Sequence, residues 1–386
     1  MAHAEPGGAA PEVREVAGWR ERHAFLRLPW SIYEGDPHWV PPLLRSVDHQ
    51  LDADRHPFFE HAEARLYLAW RGGRPAGRIA AIVNHRHNSY HKDRRGFWGF
   101  FESEDDAATA LALLDAAAED LRRHGMTEMQ GPFNPSVNAE CGLLIDGFDR
   151  RPALLMPYNP PYYPALVERA GLTKAQDLYA YDARAEEFLQ KADASGRLAR
   201  LARAVERRRP EISVRPLDTS NYAAEVTALG RVFNTARRDN WAYVPATDAE
   251  MAQMAREMKP IIDPRLVLVA EVRGDLAGCI LALPDVNPIL QRMNGRVLPF
   301  GWLRLLLGRR RVRRMRVFGA ACLPRYQNLG VTALLFHRFT RGVIEAGYDS
   351  AEISWVAEGN VKSADTILSA ISPTLYKRYR VYTRDL

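Results

Sequence analysis

One internal echo constrains this chain more than any other feature of its sequence. Leu66–Trp70, the turn Arg71-Gly72-Gly73-Arg74 and Arg78–Val83 read as strand, turn, strand, and so do Leu266–Val272, Arg273-Gly274 and Cys279–Leu283. Their Ala-Gly pairs, Ala76-Gly77 and Ala277-Gly278, lie 201 residues apart. An amphipathic helix follows over Ala107–His124, stopping at Gly125, and another over Val331–Ala346, stopping at Gly347. Each is followed by a strand, Met126–Gln130 and Ala351–Val356. Asn159 and Asn360, and Tyr181 and Tyr382, are again 201 apart, so the register closes after each half. The pattern is α/β: two copies of one unit, each with an antiparallel hairpin and strands such as Leu266-Val267-Leu268-Val269-Ala270 buried on both faces.

The first unit is placed at residues 11–182 and the second at 212–386, with a charged helical connector over 183–211 and a disordered start over 1–10. A length of 386 residues accommodates two such units. No run approaches the ~18 apolar residues of a membrane span, and Met1–Pro11 does not read as a secretory signal. Cys141, Cys279 and Cys322 are far apart and fit reduced thiols in a cytoplasmic protein. Cys141 reads as a buried inert thiol in preference to a nucleophile. His85, His87 and His91 lack the partners of a tetrahedral metal site and read as a solvated loop, so no metal is expected.

The helix-ending glycines are 222 apart instead of 201, so the second unit holds about 21 extra residues before its helix. That excess coincides with a charge anomaly. From Val286 to Ile344 there are twelve Arg and no Asp or Glu, so this stretch carries +12 of a net +6 and the remainder is −6. A mildly acidic protein with one cationic segment is not a nucleic-acid coat, and no nucleic-acid partner is expected. The insertion at about 286–316 sets Val297-Leu298-Pro299-Phe300-Gly301-Trp302-Leu303 and Leu305-Leu306-Leu307 beside Arg309-Arg310-Arg311-Val312-Arg313-Arg314. A short Trp/Leu-rich stretch flanked by Arg, too short to span, has the make-up of an interfacial element, so 297–314 is expected to meet an anionic membrane surface at the inner face. A solvated basic helix or recognition of phosphates by some of these Arg are the rival readings.

Behind the insertion, the apolar strand Val317–Leu323 leads through Pro324-Arg325-Tyr326-Gln327-Asn328-Leu329-Gly330-Val331-Thr332-Ala333 into a helix. Free N–H groups at a helix start, approached through a glycine, favour an anion such as a pyrophosphate. The bland alternative is an ordinary strand-to-helix turn capped by Arg325. At the matching place the first unit has Glu102-Ser103-Glu104-Asp105-Asp106, whose carboxylates would repel a pyrophosphate.

Gln327-x-x-Gly330-x-Thr332 resembles the acyl-CoA loop of the GNAT acyltransferase superfamily, with Thr332 departing from the usual small residue. Further stretches resemble a tandem GNAT-like bacterial family that includes the bacterial ceramide synthases: Gly35-Asp36-Pro37-His38-Trp39-Val40-Pro41-Pro42, Pro57-Phe58-Phe59-Glu60-His61, Gly131-Pro132-Phe133-Asn134, Asn138-x-Glu140-Cys141-Gly142, Pro157-Tyr158-Asn159-Pro160-Pro161-Tyr162-Tyr163 and Asp239-Asn240-Trp241. The resemblance runs from about residue 30 to the end. It implies two GNAT-like units, each a mixed, mostly antiparallel sheet flanked by helices, the first degenerate and shaping the acceptor site, the second binding acyl-CoA. It also implies transfer of a long acyl chain from acyl-CoA to the amine of a sphingoid base, sphinganine or 3-oxosphinganine. A short-chain acetyltransferase acting on a small amine or peptide, and a silent acyl-CoA-binding membrane protein, are the alternatives.

For that chemistry the cofactor candidates are Cys322, Leu323, Arg325, Gln327, Asn328, Gly330, Thr332 and Asn360, with a strand N–H between Ala320 and Leu323 facing the oxyanion. Glu352, Glu358 and Glu140 are the candidate bases. Glu352 sits inside a strand, where a charge needs a partner, and Glu358 sits at that strand's end. The family's usual leaving-thiol acid is a tyrosine eight residues after the helix-start Asn; here that position is Leu368, and Tyr376 is the substitute. Asn138, Glu140 and Tyr162 are acceptor-binding candidates, because the long connection Gly131–Tyr163 exceeds what a compact domain needs, and Trp241 is another, since the resemblance places the aromatic stretch after the second unit's first long helix over the acceptor, with core anchoring the rival reading. Asn134 and Asn159, each before proline, read as turn formers.

Overall fold

The computed structural model describes residues 10–185, 196–360 and 373–386. The expected unstructured start, the middle of the connector, and the helix expected from Val361 with position 368 lie outside these residues. In chain order the first part runs β1 (Glu12–Glu15), α1 (Gly18–Arg27), α2 (Pro29–Ile32), α3 (Leu44–Gln50), β2 (Ala62–Arg71), β3 (Arg74–Asn84), α4 (His85–His91), β4 (Arg95–Ser103), α5 (Ala107–Arg123), β5 (Glu128–Gly131), β6 (Phe133–Asn134), β7 (Glu140–Cys141), β8 (Leu143–Asp146), α6 (Tyr163–Arg169) and β9 (Thr173–Arg184). It continues with α7 (Arg197–Arg208), β10 (Ile212–Pro216), α8 (Tyr222–Ala236), α9 (Asp248–Met258), β11 (Val267–Val272), β12 (Asp275–Pro284), α10 (Asn287–Met293), α11 (Gly301–Gly308), β13 (Arg314–Cys322), α12 (Val331–Glu345), β14 (Ser350–Ala357) and β15 (Thr374–Asp385).

Both halves build the hairpin with the same device. The two-residue turns Gly72-Gly73 and Arg273-Gly274 have positive φ at both positions, the geometry that matches strand twist. In each half the hairpin's second strand pairs antiparallel with the next strand, which pairs parallel with the strand after the long helix: β3–β4–β5 and β12–β13–β14. The extra residues fall where the charge anomaly placed them. Ten residues, 85–94, join β3 to β4, whereas twenty-nine, 285–313, join β12 to β13 and carry α10 and α11.

Compactness does not divide the chain at one cut. The first unit comprises the chain up to Asp177, Asn294–Arg296 and Tyr379–Leu386; the second comprises Leu178–Met293 and Val297–Arg378. The sequence halves therefore differ from the units at both ends. Tyr382–Asp385 of β15 pair antiparallel with Glu128–Gly131 of β5, while Leu178–Arg184 of β9 pair with β14. Hydrophobic repetition gives each half its strands, but it does not specify which copy of the equivalent last strand each sheet takes.

In the first unit, Leu113, Leu114, Ala117 and Leu121 of α5 pack on Ile79, Ala81, Trp98 and Met129. In the second, β11 is buried on both faces as its unbroken apolar run requires. Leu268 and Ala270 face Val331, Leu335 and Phe339 of α12, and Val267 and Val269 face Leu229 and Val232 of α8.

Candidate active site

The second unit opens a gap in its own sheet. Strands β13 and β14 pair only over Arg314–Val317 with Ser350–Ile353. Phe318 is then an extra residue against β12, since Gly319 stands opposite Leu281 and Val317 opposite Ala282. A bulge of this kind twists a strand away from its neighbour. Past it, Gly319–Cys322 run free of β14 towards the loop to α12.

The first unit splays at the same place and then fills the space. Strands β4 and β5 pair over Arg95–Phe97 with Glu128–Gln130 only. Beyond that, Asn134 Oδ1 accepts the Phe100 N–H at 2.6 Å, and a Cβ on Gly99 would overlap the Phe133 carbonyl. The acidic turn is likewise committed to structure. Tyr33 and Tyr163 hydroxyls donate to Glu102 at 3.0 and 2.7 Å, with Arg78 at 3.4 Å, and burial holds the Glu102 carboxyl above its usual range despite that arginine. Glu104 pairs with Arg74, and Asp106 caps α5 through the Thr109 N–H at 2.9 Å.

In the second unit the loop after β13 is a tight turn over Pro324–Leu329 that ends at Gly330, in left-handed conformation with φ 82° at the start of α12. The first-turn N–H groups of that 15-residue helix face outward from its end without helical partners. Arg325, Gln327 and Asn328 are exposed beside them, with the Arg325 guanidinium over the Tyr326 ring. Gln327 Nε2 donates to the Cys322 carbonyl at 3.4 Å. Burial raises the Cys322 thiol, with the Thr332 hydroxyl acting against it. Two expectations change here. The Leu323 N–H donates to the Ala277 carbonyl at 2.9 Å, so it is not open to an oxyanion. The glycine at 330 is required by its φ and by Val205 of α7, which a Cβ would overlap, and not only by close approach of a phosphate.

Glu352 of β14 has no exposed surface, and both carboxylate oxygens are held. Ser354 Oγ donates to one at 2.5 Å, and the Tyr376 hydroxyl of β15 donates to the other. Arg316 Nε donates to Ser354 Oγ at 2.9 Å. Arg314 pairs with Asp182 at 2.6 Å; burial pulls its basicity down, but Tyr376 and Asp182 outweigh that. Burial, reinforced by Glu352, pushes the Tyr376 phenol well above its ordinary value. Glu358 is exposed at the end of β14, with the Tyr179 hydroxyl at 3.4 Å, and Asn360 is half-buried two residues on.

The other candidates lie on other elements. Asn138, Glu140 and Tyr162 belong to the first unit, where Asn134 Nδ2 lies 3.5 Å from Glu140 and the Tyr162 hydroxyl donates to the Ser103 carbonyl at 2.9 Å. Asn159 clamps Leu144, accepting its N–H at 2.6 Å and donating to its carbonyl at 3.1 Å, so it is structural. Trp241 is half-buried in the turns after α8 of the second unit. The histidine segment, expected as a solvated loop, is helix α4, with His87 buried against Phe97. Among the described residues no group of three or more His, Cys, Asp or Glu side chains could hold a metal ion. Sequence reasoning missed Ser354 and Arg316. Ser354 was within reach, being two residues from Glu352 on one strand; the cationic segment concealed Arg316.

No family model matches the chain. It is 38% identical over 383 residues to the bacterial ceramide synthase of Caulobacter vibrioides (strain NA1000 / CB15N), with 95% of each chain covered. The chain belongs to the bacterial ceramide synthase family. It is also 30% identical over 380 residues to protein YghO of Escherichia coli (strain K12), covering 97% of this chain and 95% of that one. Among solved structures, a tandem GNAT protein from the clavulanic acid biosynthesis pathway matches 97% of this chain and 98% of its own at a TM-score of 0.54 and 12% identity. A GCN5-related N-acetyltransferase from Sphaerobacter thermophilus matches 97% and 95% at a TM-score of 0.50 and 13% identity. The family's fold is thus the tandem GNAT fold, a mixed and mostly antiparallel sheet with flanking helices in each unit.

Proposed function

We propose that this chain is an acyl-CoA-dependent N-acyltransferase that moves a long acyl chain to the amine of a sphingoid base, sphinganine or 3-oxosphinganine. The observation that carries this reading is full-length identity to a ceramide synthase, in a chain whose second unit holds an open strand gap with a buried carboxylate–phenol pair. The pyrophosphate of acyl-CoA would sit at the start of α12, against first-turn N–H groups and Arg325, Gln327 and Asn328. The pantetheine and thioester would run into the gap past Cys322 and Thr332. In the first unit, whose gap is filled by Phe133 and Asn134, Asn138, Glu140 and Tyr162 are the residues proposed for acceptor binding; in the second unit, Trp241 is.

The amine lone pair attacks the thioester carbon and forms the C–N bond, and the carbonyl π pair moves onto oxygen. Return of that pair breaks the C–S bond, and CoA leaves as the thiolate, a tolerable leaving group with an ordinary thiol pKa of about 8.5. The amine proton needs an acceptor. Tyr376 donates its own proton to Glu352 while Arg314 hydrogen-bonds to the phenol, and the relay passes the Tyr376 proton to Glu352 as the phenol oxygen takes one from the amine. Glu352 is then the base, and Tyr376 the relay in place of a thiol acid. Orientation of amine and thioester supplies much of the remaining rate.

Both substrates partition into a bilayer, and the exposed side chains of the insertion suit that. Phe300, Trp302 and Leu307 are 67%, 50% and 65% exposed, with Arg309–Arg311 adjoining. No helix among the described residues is long and apolar enough to cross a membrane, so the proposed contact is peripheral, at the cytoplasmic face. Release of CoA thiol from acyl-CoA, with and without sphinganine and over several acyl lengths, tests the function. Sphinganine-dependent release favouring long chains is expected. Release from acetyl-CoA alone would replace it with a short-chain acetyltransferase, and no release with a long chain retained would leave a binding protein.

A further inference from the structure

Arg237, at the end of α8, is a charged group that the scheme above leaves unused. Its Nη2 donates to the Phe318 carbonyl at 2.8 Å, the carbonyl of the bulge residue where β13 leaves β14, and its guanidinium covers the Phe233 ring at 4.7 Å. No described carboxylate pairs with it. The ionisable groups that bear on it are the Tyr243 phenol, the Cys279 thiol and the Arg316 guanidinium, none of them anionic at neutral pH. Protein surrounds the side chain closely enough for burial to lower its basicity, yet it is only half-buried, so part of it faces solvent. A partly buried cation with no carboxylate partner is a ready counter-charge for an anion that forms beside it.

The two units differ at this point. Gly99 stands opposite Ala80 and Gly319 opposite Leu281, 201 residues further on, so each splayed strand carries glycine at its bulge. In the first unit the space beside that glycine is filled by the Phe133 carbonyl, a neutral group. In the second it is filled by the Arg237 guanidinium, which a Cβ on residue 319 would overlap. The unit with the closed gap places backbone there, and the unit with the open gap places N–H donors carrying a full positive charge.

We propose that Arg237 is a catalytic residue that donates to the thioester carbonyl oxygen and stabilises the oxyanion formed when the amine attacks. The inference rests on the N-acyltransferase reading. Arg237 stays protonated throughout: it takes no proton from the amine, which passes through Tyr376 to Glu352, and none is needed by the departing thiolate. A donor aimed at charge that develops only in the tetrahedral state raises kcat and leaves ground-state binding alone.

The test is Arg237→Met and Arg237→Ala in the full chain, with CoA-thiol release, acyl-CoA KM and Tm measured together. Arg237→Met should lose about 10²–10³ in kcat with little change in KM, and guanidinium ion added to Arg237→Ala should restore part of the rate. An active wild type with Arg237→Met at the same kcat would overturn the role and leave the functional reading standing. A loss that follows a fall in Tm and is not restored by guanidinium would also overturn it, making Arg237 a prop for the Phe318 bulge. A wild type that releases no thiol would overturn the functional reading and this role with it.

Discussion

Glu352 is a carboxylate without exposed surface, held by one hydroxyl on each oxygen, and such a group survives burial only while those bonds are made. Glu352→Gln keeps the shape and one acceptor oxygen, its amide N–H donating to the other hydroxyl in a reversed hydrogen bond, and loses the base, so kcat should fall by about 10²–10⁴ without a large loss of Tm. Glu358→Gln, on an exposed carboxylate at the strand end, should leave kcat near wild type. Tyr376→Phe removes the hydroxyl that relays the amine proton to Glu352, so kcat should fall by about 10² with little change in acyl-CoA KM. A pH effect belongs to stability. Burial, and then His91, lowers the His87 imidazole from 6.5 to about 3. The unfolded chain therefore binds a proton that the folded one refuses. The His87 contribution is complete above about pH 6.5 and is lost as pH falls toward 3, about 2 kcal/mol of it between pH 7 and 5. Denaturant midpoints over that range check this, and His87→Gln should flatten the slope.

At the scale of elements, α11 and the turn after β13 each carry a prediction. Helix α11 presents Trp302, Leu303, Leu306 and Leu307 outward, with Arg309–Arg311 at its end. Each Arg near an anionic surface contributes about 1 kcal/mol, screened by salt. Sedimentation with vesicles containing phosphatidylglycerol should exceed that with phosphatidylcholine and weaken in high salt. Phe300→Asp with Leu307→Asp should abolish it while short-chain turnover in detergent persists. The turn after β13 is a less direct probe at its glycine than its motif suggests. With φ 82° and Val205 against it, Gly330→Ala should destabilise by about 1 kcal/mol or more whatever binds there. Arg325→Glu is the cleaner test: the side chain is exposed, so folding should hold while the KM for acyl-CoA rises several-fold.

At the scale of the molecule, the end of the chain belongs to the first unit. Tyr379, Val381 and Tyr382 are at most 1% exposed, Arg380 forks onto Asp177 at 2.8 and 3.1 Å, and Tyr382 reaches Glu168 at 3.0 Å. Burial of side chains this size contributes about 1.5–3 kcal/mol each, against a total stability of about 5–15 kcal/mol. Truncation after Arg378 should therefore unfold or strongly destabilise the first unit, as seen by loss of its amide protection. Expression of residues 1–182 alone should fail for the same reason.

The repeat, the element order, the hairpin turns, the glycine stops and the place of the insertion were legible in the amino-acid order, because each depends on residues near one another in sequence. Glu352, Tyr376 and the loop after β13 were legible as residue types for the same reason. The chain order could not tell which gap stays open. That depends on Asn134 bonding to Phe100 across 34 residues, and on Arg237 reaching Phe318 across 81. Nor could it tell that β5 pairs with the second of two similar end strands, as in Gly131 with Tyr382 and Glu128 with Asp385. Periodicity and turn chemistry are local properties of a chain. The choice between two near-equivalent partners is made by packing, which exists only once distant segments have met.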